Sequence, residues 1–236
     1  MWASQLSVLD VAHRAVLLDL PGFGAAVDHQ VPETLAGFAQ AVGETIDANV
    51  GRAATVVGHS FGGYVALQLY RDRPELFERL VLVSTRSEAD PAEAREKRLA
   101  TARRLEDPNE HLDLDATVKG LLAPGTWELQ GPLVAQVRAM VASAPNATIV
   151  RTLRAIAHRP DLTPVLPSIA VPSLAVWGEK DVLIPPERTR ALGESIAGAQ
   201  GVEIPGAGHL SPLETPDRFT EVLRAFLART TAGWPT

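Results

Sequence analysis

The chain contains no cysteine. Disulfide frameworks, thiolate metal sites and cysteine nucleophiles are therefore excluded together. No stretch approaches the roughly 20 apolar residues needed to cross a bilayer. The opening Met1-Trp2-Ala3-Ser4-Gln5 also lacks the cationic and then apolar pattern of an export signal. A cytoplasmic location is the expectation. Positive charge is scarce as well: 22 Lys and Arg stand against 28 Asp and Glu, a formal net charge of -6 with no long run of one sign. Nothing offers the basic footprint of a nucleic-acid or anionic-membrane binder, so the expected partner is a small molecule. His13, His29, His111 and His158 show neither H-x-x-x-H nor carboxylate spacing, and no metal site is expected.

What is present is ordinary for a globular chain: 236 residues, 46% hydrophobic and 21% charged, with Gly and Pro scattered as punctuation. A single domain over 1–236 is expected, since α/β domains of this length commonly stay undivided. Five short apolar runs, at 15–20, 54–58, 80–84, 173–178 and 201–205, each end in turn chemistry. Their two-sided apolar character suits buried parallel strands. Helical periodicity lies between them. Leu35, Phe38, Val42 and Ile46 make one face; Phe219, Val222, Leu223, Phe226 and Leu227 make another, opened by Thr215 as N-cap and Pro216 at the first helical position. The fold class is α/β, a doubly wound, mainly parallel sheet. From 88 to 165 no strand signal appears, and three apolar or charged stripes at helical spacing predict a helical insertion, serving as core packing and as a lid over a pocket.

The strongest local signal is Val57-Gly58-His59-Ser60-Phe61-Gly62-Gly63, a β run that stops at G-x-S-x-G and continues into a helix. This is the nucleophile-elbow arrangement, in which a sharp turn lifts the serine hydroxyl out of the sheet. Gly58 and Gly62 are expected to be required because a Cβ at either would collide with the neighbouring strand or helix. The Phe61 N–H, at the start of the helix, is the candidate oxyanion donor. The ordinary alternative is a serine that merely turns a corner. A serine hydroxyl needs an imidazole to take its proton and a carboxylate to hold the imidazole's tautomer. Asp181 follows the run ending at 178, and His209 follows the run ending at 205. Both sit beyond carboxyl ends of strands, where open α/β sheets bind ligands.

G-H-S-F-G-G, W-G-E-K-D-x-L-I-P-P and G-A-G-H-L-S-P-L-E-x-P together resemble the three signature segments of the α/β-hydrolase family, especially its esterase and lactonase-like branch. Asp19-Leu20-Pro21-Gly22-Phe23-Gly24 is similar to that family's D-x-P-G-x-G turn. The resemblance implies Ser60 as nucleophile, Asp181 and His209 as its partners, and acyl transfer from an ester or lactone to water with no cofactor. It also implies an H-G loop supplying a second oxyanion donor, and strands before it, one of which lies between the 15–20 run and the 54–58 run. No such segment precedes Trp2, so an N-terminally reduced fold with weakened catalysis is expected; Met1 as an internal methionine of a longer protein is favoured over a naturally reduced hydrolase whose sheet closes up.

Other residues have blander assignments. His59 should point away from Ser60 and serve packing or hydrogen bonding. Asp161 and Glu179 are surface charges rather than rivals to Asp181. Gly22-Phe23-Gly24 is a weak dinucleotide signal, since Val27 stands where a third glycine belongs. Phe23, Phe61, Trp127 and Leu210 are candidate pocket residues, with core packing equally open to Trp127. Two rival functions remain: carbon–carbon bond hydrolysis, perhydrolysis or cyanohydrin lysis on the same triad, and a silent binding protein on this fold.

Overall fold

The computed structural model describes residues 1–6 and 14–228. Four of the five apolar runs form strands: β1 (Ala54–His59), β2 (Phe77–Val83), β3 (Ser173–Gly178) and β4 (Gln200–Ile204). They pair in the order β1-β2-β3-β4, all parallel. Because side chains alternate across a strand, β1 and β2 feed two cores, and β3 and β4 add to one of them. Val56, Leu80 and Leu82 face one apolar cluster. Val57, Val81, Val83, Leu174, Val176 and Ile204 face the other. Helices cover both faces. The first cluster takes α2 (Leu35–Asn49), α3 (Phe61–Asp72) and α9 (Pro186–Glu194). The second takes α11 (Pro216–Leu227), with Trp2 ahead of α1 (Ala3–Leu6) tilted against Phe219 at 5.9 Å.

The helix signals lie where the periodicity placed them. Thr34 caps α2 by accepting from the Gly37 N–H at 3.1 Å, and Leu35, Phe38 and Ile46 are buried along its inner face. Thr215 and Pro216 open α11, although the Thr215 side chain makes no capping bond.

The run at 15–20 is a correction: it forms no strand, and Val16 and Leu17 are exposed. β-propensity alone cannot make a strand, because a ladder needs a neighbour whose N–H and C=O groups are in register. Among the described residues no strand stands between this run and β1.

Between β2 and β3 the described chain forms helices joined by loops and no strand: α4 (Ala92–Arg104), α5 (Leu114–Leu121), α6 (Pro124–Glu128), α7 (Pro132–Ala142) and α8 (Asn146–Ala157). Its two roots are clamped together. Asp90, whose side chain is fully buried, accepts from Arg98 Nε at 2.8 Å and pairs with Arg159 at 2.9 Å and with Arg86. Arg159 also donates to the Glu88 carbonyl at 2.7 Å and lies over the Tyr64 ring at 4.4 Å. Burial by itself would raise the Asp90 carboxyl, but the Arg98 hydrogen bond and the Arg159 charge outweigh it and hold it below the usual carboxylate range. A short helix, α10 (Ser211–Glu214), precedes α11. No helix among the described residues is long and apolar enough to cross a membrane.

The Asp90→Asn variant leaves three guanidinium groups, that of Arg159 fully buried, around a neutral and buried amide. It should lower the unfolding free energy by roughly 3 kcal/mol, measured by urea denaturation at neutral pH. A loss below about 1 kcal/mol would mean that water reaches the arginines and that the clamp contributes little.

Candidate active site

β1 ends at His59, α3 begins at Phe61, and Ser60 alone makes the turn, with φ 51 and ψ -115. A non-glycine residue in that region carries about 1–3 kcal/mol of strain, held only where the surroundings over-determine it. Here the Ser60 N–H donates to the Val83 carbonyl at 2.9 Å. Its carbonyl accepts from the Gly63 N–H at 2.9 Å and from Thr85 Oγ1 at 2.9 Å. Gly58 is required as expected, since a Cβ there would sit 2.5 Å from the Gly62 carbonyl oxygen. Gly62 is not: a Cβ on it would meet nothing within 4 Å. The tight approach belongs to Gly63, whose Cβ would fall 2.5 Å from Thr85 Oγ1. The helix turns its second residue toward open space and its third onto the strand, which a motif pattern cannot distinguish.

Parallel pairing puts the carboxyl ends of β1, β3 and β4 on one edge. Asp181 and His209 come from the loops there, and the loop after β4 folds back over β3, with Lys180 N–H donating to Ala207 O at 2.8 Å. His209 Nδ1 donates to Asp181 Oδ2 at 2.8 Å, both side chains being nearly fully buried. The other carboxylate oxygen accepts from the Leu183 and Ile184 N–H groups, each at 2.9 Å. A carboxylate only accepts, so Nδ1 carries a proton, and in the neutral imidazole Nε2 is then the acceptor. His209 reaches β1: its carbonyl accepts from His59 Nε2 at 2.7 Å, and the two rings lie 4.8 Å apart. No direct hydrogen bond joins Ser60 Oγ to His209; they meet at one edge by way of His59.

His59 thus has the hydrogen-bonding role read from alternation. Burial, and then the proximity of His209, lower its pKa to about 3 against the opposing effect of its bond to the His209 carbonyl. The ring is neutral at physiological pH, with its proton on Nε2.

The Phe61 N–H has no partner among the described residues, and the Phe61 ring packs edge-on against Phe38 at 5.0 Å. That ring is partly buried against the first core cluster. Trp127 and Leu210 share one cluster with Val118, Leu122, Val134 and Val137, while Phe23 stands outside it, ahead of the 3-10 turn Gly24–Ala26. In that loop Asp19 Oδ2 takes the Ala25 N–H at 2.9 Å, so a side-chain carboxylate occupies a donor that a phosphate would need. Asp161 and Glu179 are exposed; the former receives Thr163 N–H at 2.9 Å and the latter Gly206 N–H at 2.9 Å. Two residues escaped the sequence: Thr85, which only tertiary packing brings to the elbow, and Glu214, whose signal was its place in the segment around His209.

A family model described as "Alpha/beta hydrolase family" matches residues 1–222. A thermophilic esterase from Thermogutta terrifontis, solved with malate bound, is 30% identical with a TM-score of 0.88, covering 96% of this chain and 84% of that one. The enol-lactonase of Burkholderia xenovorans LB400 is 28% identical with a TM-score of 0.85, over 97% and 86%. A 2-hydroxy-6-oxononadienedioate/2-hydroxy-6-oxononatrienedioate hydrolase from a Pseudomonas species is 25% identical, over 94% of this chain and 79% of its own. The RutD protein of Yersinia enterocolitica, named as a carbamate hydrolase, is also 25% identical, over 96% and 82%.

Gly58→Ala should cost roughly 2–3 kcal/mol of stability, whereas Gly62→Ala should stay within about 0.5 kcal/mol of the parent; thermal melts compare them, and equal losses would contradict the asymmetry. His59 gives a pH signature. Its folded pKa lies below its unfolded value near 6.5, so the unfolded state binds more protons between about pH 6.5 and 3, and stability falls as pH falls through that window. Because the ring keeps some accessible surface, the parent should lose roughly 2 kcal/mol more than His59→Gln between pH 7 and 4. Parallel unfolding curves for the two proteins would contradict a neutral His59.

Proposed function

The chain belongs to the alpha/beta hydrolase family, and on that footing we propose that it is a serine hydrolase cleaving a carboxylic ester or lactone of a small molecule through an acyl-enzyme on Ser60. One observation supports this above the rest: a buried His209–Asp181 hydrogen bond of 2.8 Å is tied, through the His209 carbonyl and His59 Nε2 at 2.7 Å, to the residue before a serine held at φ 51 between strand and helix. His209 Nε2 takes the Ser60 proton as Oγ adds to the carbonyl carbon, and Asp181 stabilises the imidazolium that results. The Phe61 N–H donates to the oxyanion. The same proton then passes to the leaving alkoxide as the carbon–oxygen bond breaks. In the second half, His209 deprotonates water, which adds to the acyl carbon and releases the acid and Ser60. The helices α4 to α8 serve as the lid, with Trp127 and Leu210 contributing the apolar side of the pocket.

A second reading keeps the triad and changes the bond. The relatives named for carbamate and for dienedioate hydrolysis favour it, because the same serine, base and oxyanion donor suit a carbamoyl group or a carbon–carbon bond next to a carbonyl. Product analysis on ester, carbamate and dienoate panels separates the two.

Ser60→Ala should abolish p-nitrophenyl acetate turnover and fluorophosphonate labelling alike; labelling that persists would remove Ser60 from the mechanism. Asp181→Asn should keep the fold yet lower kcat by about 10⁴, because an amide can hold the ring in the wrong tautomer. Steady-state kinetics of the purified variant checks it, and a loss under about 10-fold would deny Asp181 the orienting role.

A further inference from the structure

Glu214 closes α10 five residues after His209, and its half-buried carboxylate gathers four donors. Oε1 accepts from the Gly208 N–H at 2.9 Å and the Leu210 N–H at 3.2 Å, the backbone donors of the residues on either side of His209. Oε2 accepts from the Ala123 N–H at 2.8 Å and from Thr126 Oγ1 at 2.9 Å, both at the start of α6. All four partners donate, so the group serves as a carboxylate with both oxygens filled. The backbones it joins are pressed together: a Cβ on Gly208 would strike the Ala123 nitrogen and the Leu122 carbonyl carbon. Apolar packing follows the same line, since Leu210 and Trp127 lie in one cluster.

His209 is therefore held at several points. Asp181 holds its ring, and His59 holds its carbonyl. Those partners sit on the sheet edge. Glu214 differs, because one oxygen orients the His209 backbone and the other reaches into the helices between β2 and β3. We propose that Glu214 is a positioning residue that couples the seating of α6 to the placement of His209, so that the base is aligned with Ser60 only while α6 is docked. The proposal rests on His209 acting as the general base, as set out above. Substrate that seats α6 through Trp127 then acts on kcat and not only on affinity.

The discriminating variant is Thr126→Val, which removes one donor on the α6 side, keeps the side-chain shape and touches neither flanking peptide. It should lower kcat for p-nitrophenyl acetate about 3- to 10-fold with KM nearly unchanged, a misplacement effect rather than a binding effect. Amide hydrogen exchange at Gly208 and Leu210 should accelerate about 5-fold, although Thr126 bonds to neither. Glu214→Gln should cost kcat at least about 10-fold, since one face of its amide must turn N–H groups toward donors. The double variant should be no worse than Glu214→Gln alone, the non-additivity expected of one network. A higher KM with kcat and the 208 and 210 amides unchanged in Thr126→Val would overturn the coupling and leave Glu214 as local glue. Fluorophosphonate labelling of the parent enzyme keeps the two claims apart. An unlabelled, inactive parent sinks the hydrolase reading, while the exchange measurement still decides whether α6 and the His209 loop move together.

Discussion

One residue in a backbone region that side chains avoid organises this site. Ser60 sits at φ 51 because the Val83 carbonyl, the Gly63 N–H and the Thr85 hydroxyl hold its peptide groups from three sides. Each of those partners depends on something larger. Val83 is placed by β1–β2 pairing, Thr85 by the chain leaving β2, and Gly63 by the first turn of α3 packing close enough that a methyl group would not fit. The elbow is thus a property of the sheet as much as of five residues, and the strain is carried by the cores on both faces.

His209 is fixed by the same economy of parallel topology. With every strand running one way, loops from residues far apart along the chain emerge on one edge, and short hydrogen bonds suffice to join them. Asp181 is fully used, one oxygen on His209 and the other on two backbone N–H groups. His59, held neutral with its proton on Nε2, supports the His209 backbone without adding a positive charge where an imidazolium would form. Glu214 extends the chain of support outward to α6. The Asp90 cluster does the corresponding work at the roots of the helical segment, tying the exit of β2 to the end of α8.

Where sequence and structure part, the reasons are specific. The 15–20 run has the composition of a strand, yet Val16 and Leu17 are exposed and no strand among the described residues pairs with it. Gly62 and Gly63 look alike in a motif, but only Gly63 faces Thr85, and that depends on how α3 is rotated against β2. Phe61 and Trp127 are both pocket candidates on sequence grounds, yet the Phe61 ring packs against Phe38 and Trp127 joins a separate cluster with Leu210. The buried arginines around Asp90 left no pattern to find, since Arg86, Arg98 and Arg159 are spread over more than seventy positions.

The sequence by itself determined most of the elements and the candidate site: period 2 against period 3.6, glycines at a strand-to-helix turn, and a serine, an acid and a histidine each placed after an apolar run. These are local, because backbone sterics and side-chain alternation act over a few residues. Tertiary structure alone decided which run found a partner, which glycine was indispensable, and which side chains reached His209. Those outcomes turn on distances between segments as much as 150 residues apart, and packing at 2.5 to 3 Å distinguishes arrangements that composition and spacing leave equal.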